Sequence, residues 1–248
     1  MVGILYFSST GNSLYIANKI KEKIGGQIVY IPSYNGNGSE FEKLVVVTPI
    51  YSYGMPKHVF DLLPRLDRSK ELTIVQNYGG MIGGADYYIY NYALQNGLKI
   101  KSVYTVKMPE NFTLTFTVPR FYLKSVIKRA DKHIDKIIAS IISGSNSIPR
   151  KKRTHETTYL KNKGNWHIIG ERFSVTNDCV KCGKCIGICP VQNIILSEGK
   201  IVFADRCVAC LGCYHRCPKK AIVYLKKKKK DRYVNPNIDE NLIGKNVD

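Results

Sequence analysis

The chain predicts a doubly wound α/β fold: a parallel five-stranded sheet covered by helices on both faces, with a small α+β module at the C-terminus. Three observations predict it. Five short apolar runs alternate with helical periodicity over the first half and a little beyond. A polar, basic stretch, 145–163, then breaks the alternation. Past it, all eight cysteines lie between positions 179 and 217, in two runs of the same spacing.

Val2–Phe7 opens the chain as an apolar strand that ends in a turn. Helical periodicity follows over Ser13–Ile24, with Leu14, Ala17 and Ile20 on one face, and Gly25–Gly26 stops it. Ile28–Ile31 reads as the second strand. Leu44–Thr48 is apolar on both faces, the mark of a strand inside a parallel sheet. Leu72–Gln76 and Ile100–Val106 complete the set, with helices over Lys57–Leu63 and Ala85–Gln95. Pro119 begins a long helix reaching Ile142, striped by Val126, Ile127, Ala130, Ile134, Ile137, Ile138 and Ile141 and ended by Gly144. These signals divide the chain into a domain over 1–144, a basic linker or mobile arm over 145–172, a cysteine module over 173–225, and a lysine-rich polar tail over 226–248. The cysteine module repeats internally, each half being a cysteine loop followed by a turn and strand, at Asn193–Leu196 and Ala221–Leu225.

Composition narrows the function. The formal charge is +19, from 38 Lys/Arg against 19 Asp/Glu, and nearly all the excess lies beyond residue 100. Such basicity can steer an acidic protein partner, an anionic membrane surface or nucleic acid. No aromatic-interleaved binding motif accompanies Lys226–Lys230, so no nucleic-acid role is expected and that run reads as a solvated tail. No apolar run spans a bilayer and no charged n-region precedes Met1–Phe7, so neither a transmembrane segment nor a secretory leader is expected.

Each cysteine run is Cys-x2-Cys-x2-Cys-x3-Cys-Pro: Cys179, Cys182, Cys185, Cys189 before Pro190, and Cys207, Cys210, Cys213, Cys217 before Pro218. A disulfide framework belongs to short secreted chains, and structural zinc is poorly served by four thiolates per run with a proline behind each. The spacing is that of bacterial ferredoxins with two 4Fe–4S clusters, in which the fourth cysteine of each run ligates the other cluster. It assigns Cys179, Cys182, Cys185 and Cys217 to one cluster, and Cys207, Cys210, Cys213 and Cys189 to the second. Thiolate-held clusters need a reducing compartment, so the cytoplasm is the expected location.

A second chemical site follows the first strand. Ser8-Ser9-Thr10-Gly11-Asn12-Ser13 is a hydroxyl-rich turn leading into a helix, which aims backbone N–H groups and the helix dipole at an anion. It is neither a Walker loop nor a Gly-x-Gly-x-x-Gly turn. Ser-x-Thr-Gly-x-Ser directly after the first strand resembles the FMN-phosphate loop of flavodoxins. Where that family places its isoalloxazine contacts stand two further loops, Pro49-Ile50-Tyr51-Ser52-Tyr53-Gly54 and Asn77-Tyr78-Gly79-Gly80. The resemblance covers about residues 1–143 and implies FMN held at the topological switch point, with aromatic rings beside the flavin and glycines allowing close approach.

The whole chain resembles fusions of a flavodoxin-like domain with a two-cluster ferredoxin. That implies an electron-transfer role between FMN, two 4Fe–4S clusters and a redox partner protein with an acidic docking surface. The alternative is a flavin-dependent reductase of a quinone, nitro compound or nicotinamide, fed by the clusters. Tyr78 and Asp86 are candidates for a proton-transfer step, His215 for a surface histidine or one that tunes its cluster electrostatically, and Trp166 for packing between the domains or under the linker. The sequence names neither the oligomeric state nor the direction of electron flow.

Overall fold

The computed structural model describes residues 1–114, 117–151, 154–227 and 231–247, and Lys228–Lys230 of the lysine run lie outside the described residues. Five strands, β1 (Val2–Tyr6), β2 (Gln27–Tyr30), β3 (Lys43–Pro49), β4 (Glu71–Tyr78) and β5 (Lys99–Lys107), form one sheet in the order β2-β1-β3-β4-β5. Every pairing is parallel, with Leu5 opposite Val29 and Val46, and Val47 opposite Val75. This is the flavodoxin-like order, whose direction of winding reverses between β1 and β3. Right-handed crossovers running in opposite directions set helices on opposite faces. Accordingly α1 (Asn12–Ile24) covers one face, while α2 (Lys57–Leu62) and α3 (Ala85–Gln95) cover the other.

Local chemistry fixes these elements. Leu44, Val45, Val46 and Val47 are all buried, so β3 is the apolar spine expected of a central strand. Gly11 caps the N-terminus of α1 at φ +94, a left-handed turn that glycine adopts without a Cβ clash. The long helix, α4 (Arg120–Ile142), buries Val126, Ile127, Ala130, Ile134, Ile137 and Ile138. It packs beside α1, where the Tyr15 hydroxyl donates to Asp131 Oδ1 at 2.5 Å.

The cysteine module is ferredoxin-like and built in duplicate. β6 (Phe173–Val175) pairs antiparallel with β9 (Ile222–Tyr224), and β7 (Ile194–Ser197) with β8 (Lys200–Phe203). Two short helices, α7 (Lys184–Gly187) and α8 (Gly212–Arg216), follow the first cysteines of each run. Left-handed backbone recurs at matched places in the two halves: Lys181 with Ala209, Gly183 with Leu211, Gln192 with Lys220. A small core of Phe173, Leu211, Tyr214, Ile222 and Tyr224 holds the module together.

Two readings of the sequence need correction. The expected linker is structured: Val103 donates to the Ser147 carbonyl at 2.7 Å on the edge of β5, and α5 (Glu156–Gly164) and α6 (His167–Glu171) follow. Tyr159 and Trp166 from this stretch lie in the main core, so it is no free arm. Trp166 stands edge-on to Tyr51 of the sheet domain and to Tyr159 of α5. The expected tail also folds back. The Tyr6 hydroxyl donates to the Lys245 carbonyl at 2.8 Å, Asn246 Oδ1 accepts from the Tyr30 amide at 2.8 Å, and Val247 bridges Ile28 at the sheet edge. Arg216 and Lys184 of the cysteine module both pair with Glu240 of this returning segment. Among the described residues, no helix is long and apolar enough to cross a membrane.

Candidate functional site

At the C-terminal ends of the strands, where an open α/β sheet binds its ligands, lies a cavity of about 510 Å³. Three loops line it from the sheet side: Pro49–Tyr53 after β3, Asn77–Met81 after β4, and Pro109–Phe112 after β5. Asn162 of α5, Ile169 of α6 and, between the two helices, Asn165 and Trp166 wall it, and Ala209, Cys210 and Leu211 of the second cysteine run close it. The volume is that of a site enclosing one organic cofactor.

Of the residues expected to meet a flavin, Asn12, Pro49, Ile50, Tyr51, Ser52, Tyr53, Asn77, Tyr78, Gly79 and Gly80 line this cavity. Gly54 does not. A Cβ there would sit 2.3 Å from the Tyr159 ring, so this glycine makes room for α5. Asp86 is also not among the lining residues, whereas Tyr78 is.

Ser8, Ser9, Thr10, Gly11 and Ser13 are not among the lining residues and lie in the buried turn from β1 into α1, next to Asn12, which is. Ser8 Oγ accepts from the Gly11 amide at 3.0 Å, and Ser13 Oγ from Asn77 Nδ2 at 2.8 Å. Asn111 Nδ2 donates to Thr10 Oγ1 at 3.0 Å. The hydroxyls of Ser9 and Tyr51 are buried close to one another without a well-formed hydrogen bond. Burial is the main cause that raises the Tyr51 phenol, followed by the Cys210 thiolate, so it stays protonated and able to donate. A turn rich in donors at the N-terminus of a 13-residue helix, with two orphaned hydroxyls beside it, fits the phosphate and ring of a flavin nucleotide.

Sequence reasoning missed several lining residues. Glu110 arrives on the loop after β5, accepts from the Phe112 amide at 2.7 Å, and brings its carboxylate against Gly79, where a Cβ would meet it at 2.6 Å. The loop's place after the last strand was the available signal. Asn162, Asn165 and Ile169 carried no signal, because their stretch was read as a linker.

The cysteines gather into two sets. Cys179, Cys182, Cys185 and Cys217 line one small cavity together with Val180, Lys181, Gly183 and Lys184. Burial raises the Cys185 thiol, and Cys217 and Cys179 push it further. In the other set burial lifts Cys210 to about 12, with added repulsion from Cys207 and Cys189, and Cys213 stands well above its ordinary value for the same reasons. Thiols such as Cys185, Cys207, Cys210 and Cys213, buried where they resist ionisation, suit a cationic iron core, which binds its ligands as thiolates. Backbone amides already point at sulfur: Asn193 to Cys189 at 3.2 Å, Ala209 to Cys207 at 3.4 Å, Ala221 to Cys217 at 3.3 Å. Such bonds tune cluster potentials.

His215 is buried, contrary to the surface position expected of it. Burial lowers it to about 4, and it is neutral at pH 7. Arg232 lies 3.4 Å from the centroid of the Tyr214 ring, and burial brings it down to about 10 while the Cys213 thiolate opposes that.

Comparison with known proteins agrees with the cysteine geometry. Residues 178–222 match the 4Fe-4S dicluster domain family. Over 45 residues the chain is 33% identical to the polyferredoxin protein MvhB of Methanothermus fervidus, a match over 18% of this chain and 11% of that protein. The chain thus spans about a tenth of the length of that relative. Solved structures similar to the N-terminal part include the two-electron reduced flavodoxin of Megasphaera elsdenii, 21% identical over 43% of this chain and 85% of that one, with a TM-score of 0.37. The Fusobacterium nucleatum flavodoxin bound to flavin mononucleotide is 21% identical over 55% and 95%, with a TM-score of 0.37. The Trp repressor binding protein of Bacillus subtilis is 13% identical over 59% and 100%, with a TM-score of 0.42. The fold assignment rests on the strand order rather than on these likenesses.

Fold and cysteine module together define the class: a flavodoxin-like α/β domain joined to a 4Fe–4S dicluster ferredoxin domain. Such a combination supports electron transfer.

Proposed function

We propose that this protein holds one FMN and two 4Fe–4S clusters and relays electrons between the flavin and a redox partner protein in the cytoplasm. The observation that carries this reading is the shared cavity: Cys210 lines the same space as Tyr51, Tyr78 and Gly79. FMN, when bound, supplies a two-electron centre beside one-electron clusters. Tyr51 and Tyr78 would lie beside the ring, Gly79 and Gly80 would admit it closely, and the Ser8–Ser13 turn would hold the phosphate through its amides and hydroxyls. Cys189, Cys207, Cys210 and Cys213 hold the cluster beside this cavity, and Cys179, Cys182, Cys185 and Cys217 hold the other. A fixed short path then replaces a diffusional encounter.

The outer cluster is the port. Cys182 is exposed, as is Val180 beside it, and the exposed Lys181 and Lys219 line the same small cavity. That collar suits a carrier with an acidic docking face, whose approach lysines accelerate. Anaerobically purified protein is expected to carry about eight irons and one FMN per chain. In stopped-flow mixing with a reduced acidic ferredoxin, the clusters should bleach before the flavin. Iron without flavin would overturn the FMN assignment, and flavin bleaching ahead of the clusters would overturn the order of the relay.

A second reading has an observation of its own. Tyr51, Tyr53 and Tyr78 wall the cavity, and Met81 and Phe112 stand exposed at its rim. That mouth suits a small apolar acceptor such as a quinone or nitro compound, reduced at the flavin with electrons drawn from the clusters. Steady turnover of such a compound with reduced ferredoxin, absent in the protein stripped of flavin, would select this reading.

A further inference from the structure

His215 uses both ring nitrogens to join three separate parts of the chain. Its Nε2–H donates to the Asn111 carbonyl at 2.7 Å, on the loop after β5. Its Nδ1 accepts from the Tyr233 amide at 3.1 Å, on the segment returning from the cysteine module. Each arm ends on the turn between β1 and α1. Asn111 Nδ2 donates to Thr10 Oγ1 at 3.0 Å, and the Tyr233 hydroxyl donates to Asn12 Oδ1 at 2.6 Å. Asn235 reinforces the second arm: its side chain donates to Asn12 Oδ1 at 3.1 Å and its amide to the Thr10 carbonyl at 2.8 Å. Asn12 in turn donates from Nδ2 to the Pro109 carbonyl at 3.0 Å, which closes the circuit on the loop that carries Asn111.

The circuit is buried throughout its centre, with Thr10, Asn12, His215, Tyr233 and Asn235 all nearly inaccessible to solvent. Buried polar groups of this kind tolerate few alternative arrangements, because each broken bond strands a partner. Two residues of the Ser8–Ser13 turn are therefore oriented by groups that the cysteine module and its returning segment supply. Ordinary interdomain packing needs no such aim; apolar contacts would serve.

We propose that His215, with Asn111 and Tyr233, is a positioning unit that couples FMN binding to docking of the ferredoxin domain. The flavin site is complete only when that domain is seated, and bound FMN in turn holds the domain and its returning segment in place. The coupling is reciprocal by thermodynamic necessity. This inference rests on the FMN reading above. None of the three residues needs to touch the reacting atoms.

The test uses full-length protein purified anaerobically with its clusters. FMN release after dilution is followed by the recovery of free-flavin fluorescence, in wild type, His215→Phe, His215→Gln and Tyr233→Phe. Tyr233→Phe removes only the hydroxyl that meets Asn12 and keeps the amide that meets His215. His215→Phe is expected to speed release about tenfold, Tyr233→Phe severalfold, and His215→Gln by less than His215→Phe because its amide still donates to Asn111. Iron content should stay near that of wild type. Hydrogen exchange supplies the reverse direction: the amides of Tyr233 and Asn235 should exchange faster once FMN has left. Unchanged release in every variant, with exchange at 233 and 235 indifferent to FMN, would overturn the coupling. Should His215→Phe fail to retain iron, Tyr233→Phe decides alone. A wild type that holds no FMN would sink the flavin reading itself, and is distinct from variants that release FMN at the wild-type rate.

Discussion

Replacing Gly54 with alanine tests how the returning helix α5 is seated on the flavodoxin-like domain. A Cβ at this position would lie 2.3 Å from Tyr159 Cδ2 and 2.5 Å from two further ring atoms. Ordinary contact begins near 3.4 Å, so the ring must retreat by about an ångström into a packed core. It has little room to do so. Tyr159 is fully buried, its ring lies 5.1 Å from that of Tyr88 and 6.1 Å from that of Trp166, and its hydroxyl donates to the Met55 carbonyl at 2.8 Å. Overpacking of this kind costs about 1–3 kcal/mol, which in a chain of this size lowers Tm by about 3–9 °C. Tyr159→Ala alone is costlier, about 3–5 kcal/mol, because it empties a buried aromatic site. In the double variant the new methyl enters the space the ring has left. Adding Gly54→Ala to Tyr159→Ala should therefore cost nearly nothing, giving a coupling of about 1–3 kcal/mol. Circular dichroism melts of the four proteins under anaerobic conditions measure the cycle. Additive losses would refute the assignment of Gly54 to Tyr159 and return it to the flavin loop.

Three further outcomes follow from the geometry. Cys189→Ser should damage the cluster built from Cys207, Cys210 and Cys213 and spare the one at the exposed Cys182, as read by electron paramagnetic resonance of the reduced protein; loss confined to the Cys179 set would refute crossed ligation. Burial against Phe7 lowers His58 from an ordinary 6.5 to about 4, so the unfolded chain takes up a proton that the folded chain refuses. That contribution, about 3 kcal/mol at most, is complete above about pH 6.5 and is lost as pH falls towards 4; His58→Leu should flatten this part of the stability profile, and an unchanged acid limb would show that His58 is not its source. Arg232→Gln removes a half-buried cation that acts on Cys213, and should lower the potential of the neighbouring cluster by an amount on the order of tens of millivolts; a potential unmoved in anaerobic titration would place that charge too far away to matter.

The strands of the sheet were legible because each is a local apolar run, and Leu44–Val47 needs no partner to declare itself buried. The cysteine spacing was legible for a different reason: cluster ligation is written in sequence distance. The Ser8–Ser13 turn belongs to the same group, since strand, turn and helix are contiguous there. What escaped depends on distant partners. α5 is short and polar and α6 spans only five residues, and both form where Tyr159 and Trp166 reach the main core. The segment after 230 has no periodicity at all. It is held residue by residue, through Tyr233 on Asn12, Gly244 and Lys245 on the Tyr6 hydroxyl, and Asn246 on Tyr30. Glu110 was missed because a lone carboxylate after a strand means nothing until the glycines of another loop come to face it.

Anchoring the chain to the sheet edge again at Val247, after anchoring it at Ser147, changes what the cysteine module can do mechanically. A domain hung from one flexible segment sweeps a wide volume and meets its neighbour only part of the time. One mounted at both ends is a closed loop, and its swing is forbidden unless one mount lets go. Electron flow through this molecule is then a matter of wiring rather than of choreography. On the proposed relay, a partner would find the Cys182 set always presented at the same angle, and the Cys210 set always facing the sheet.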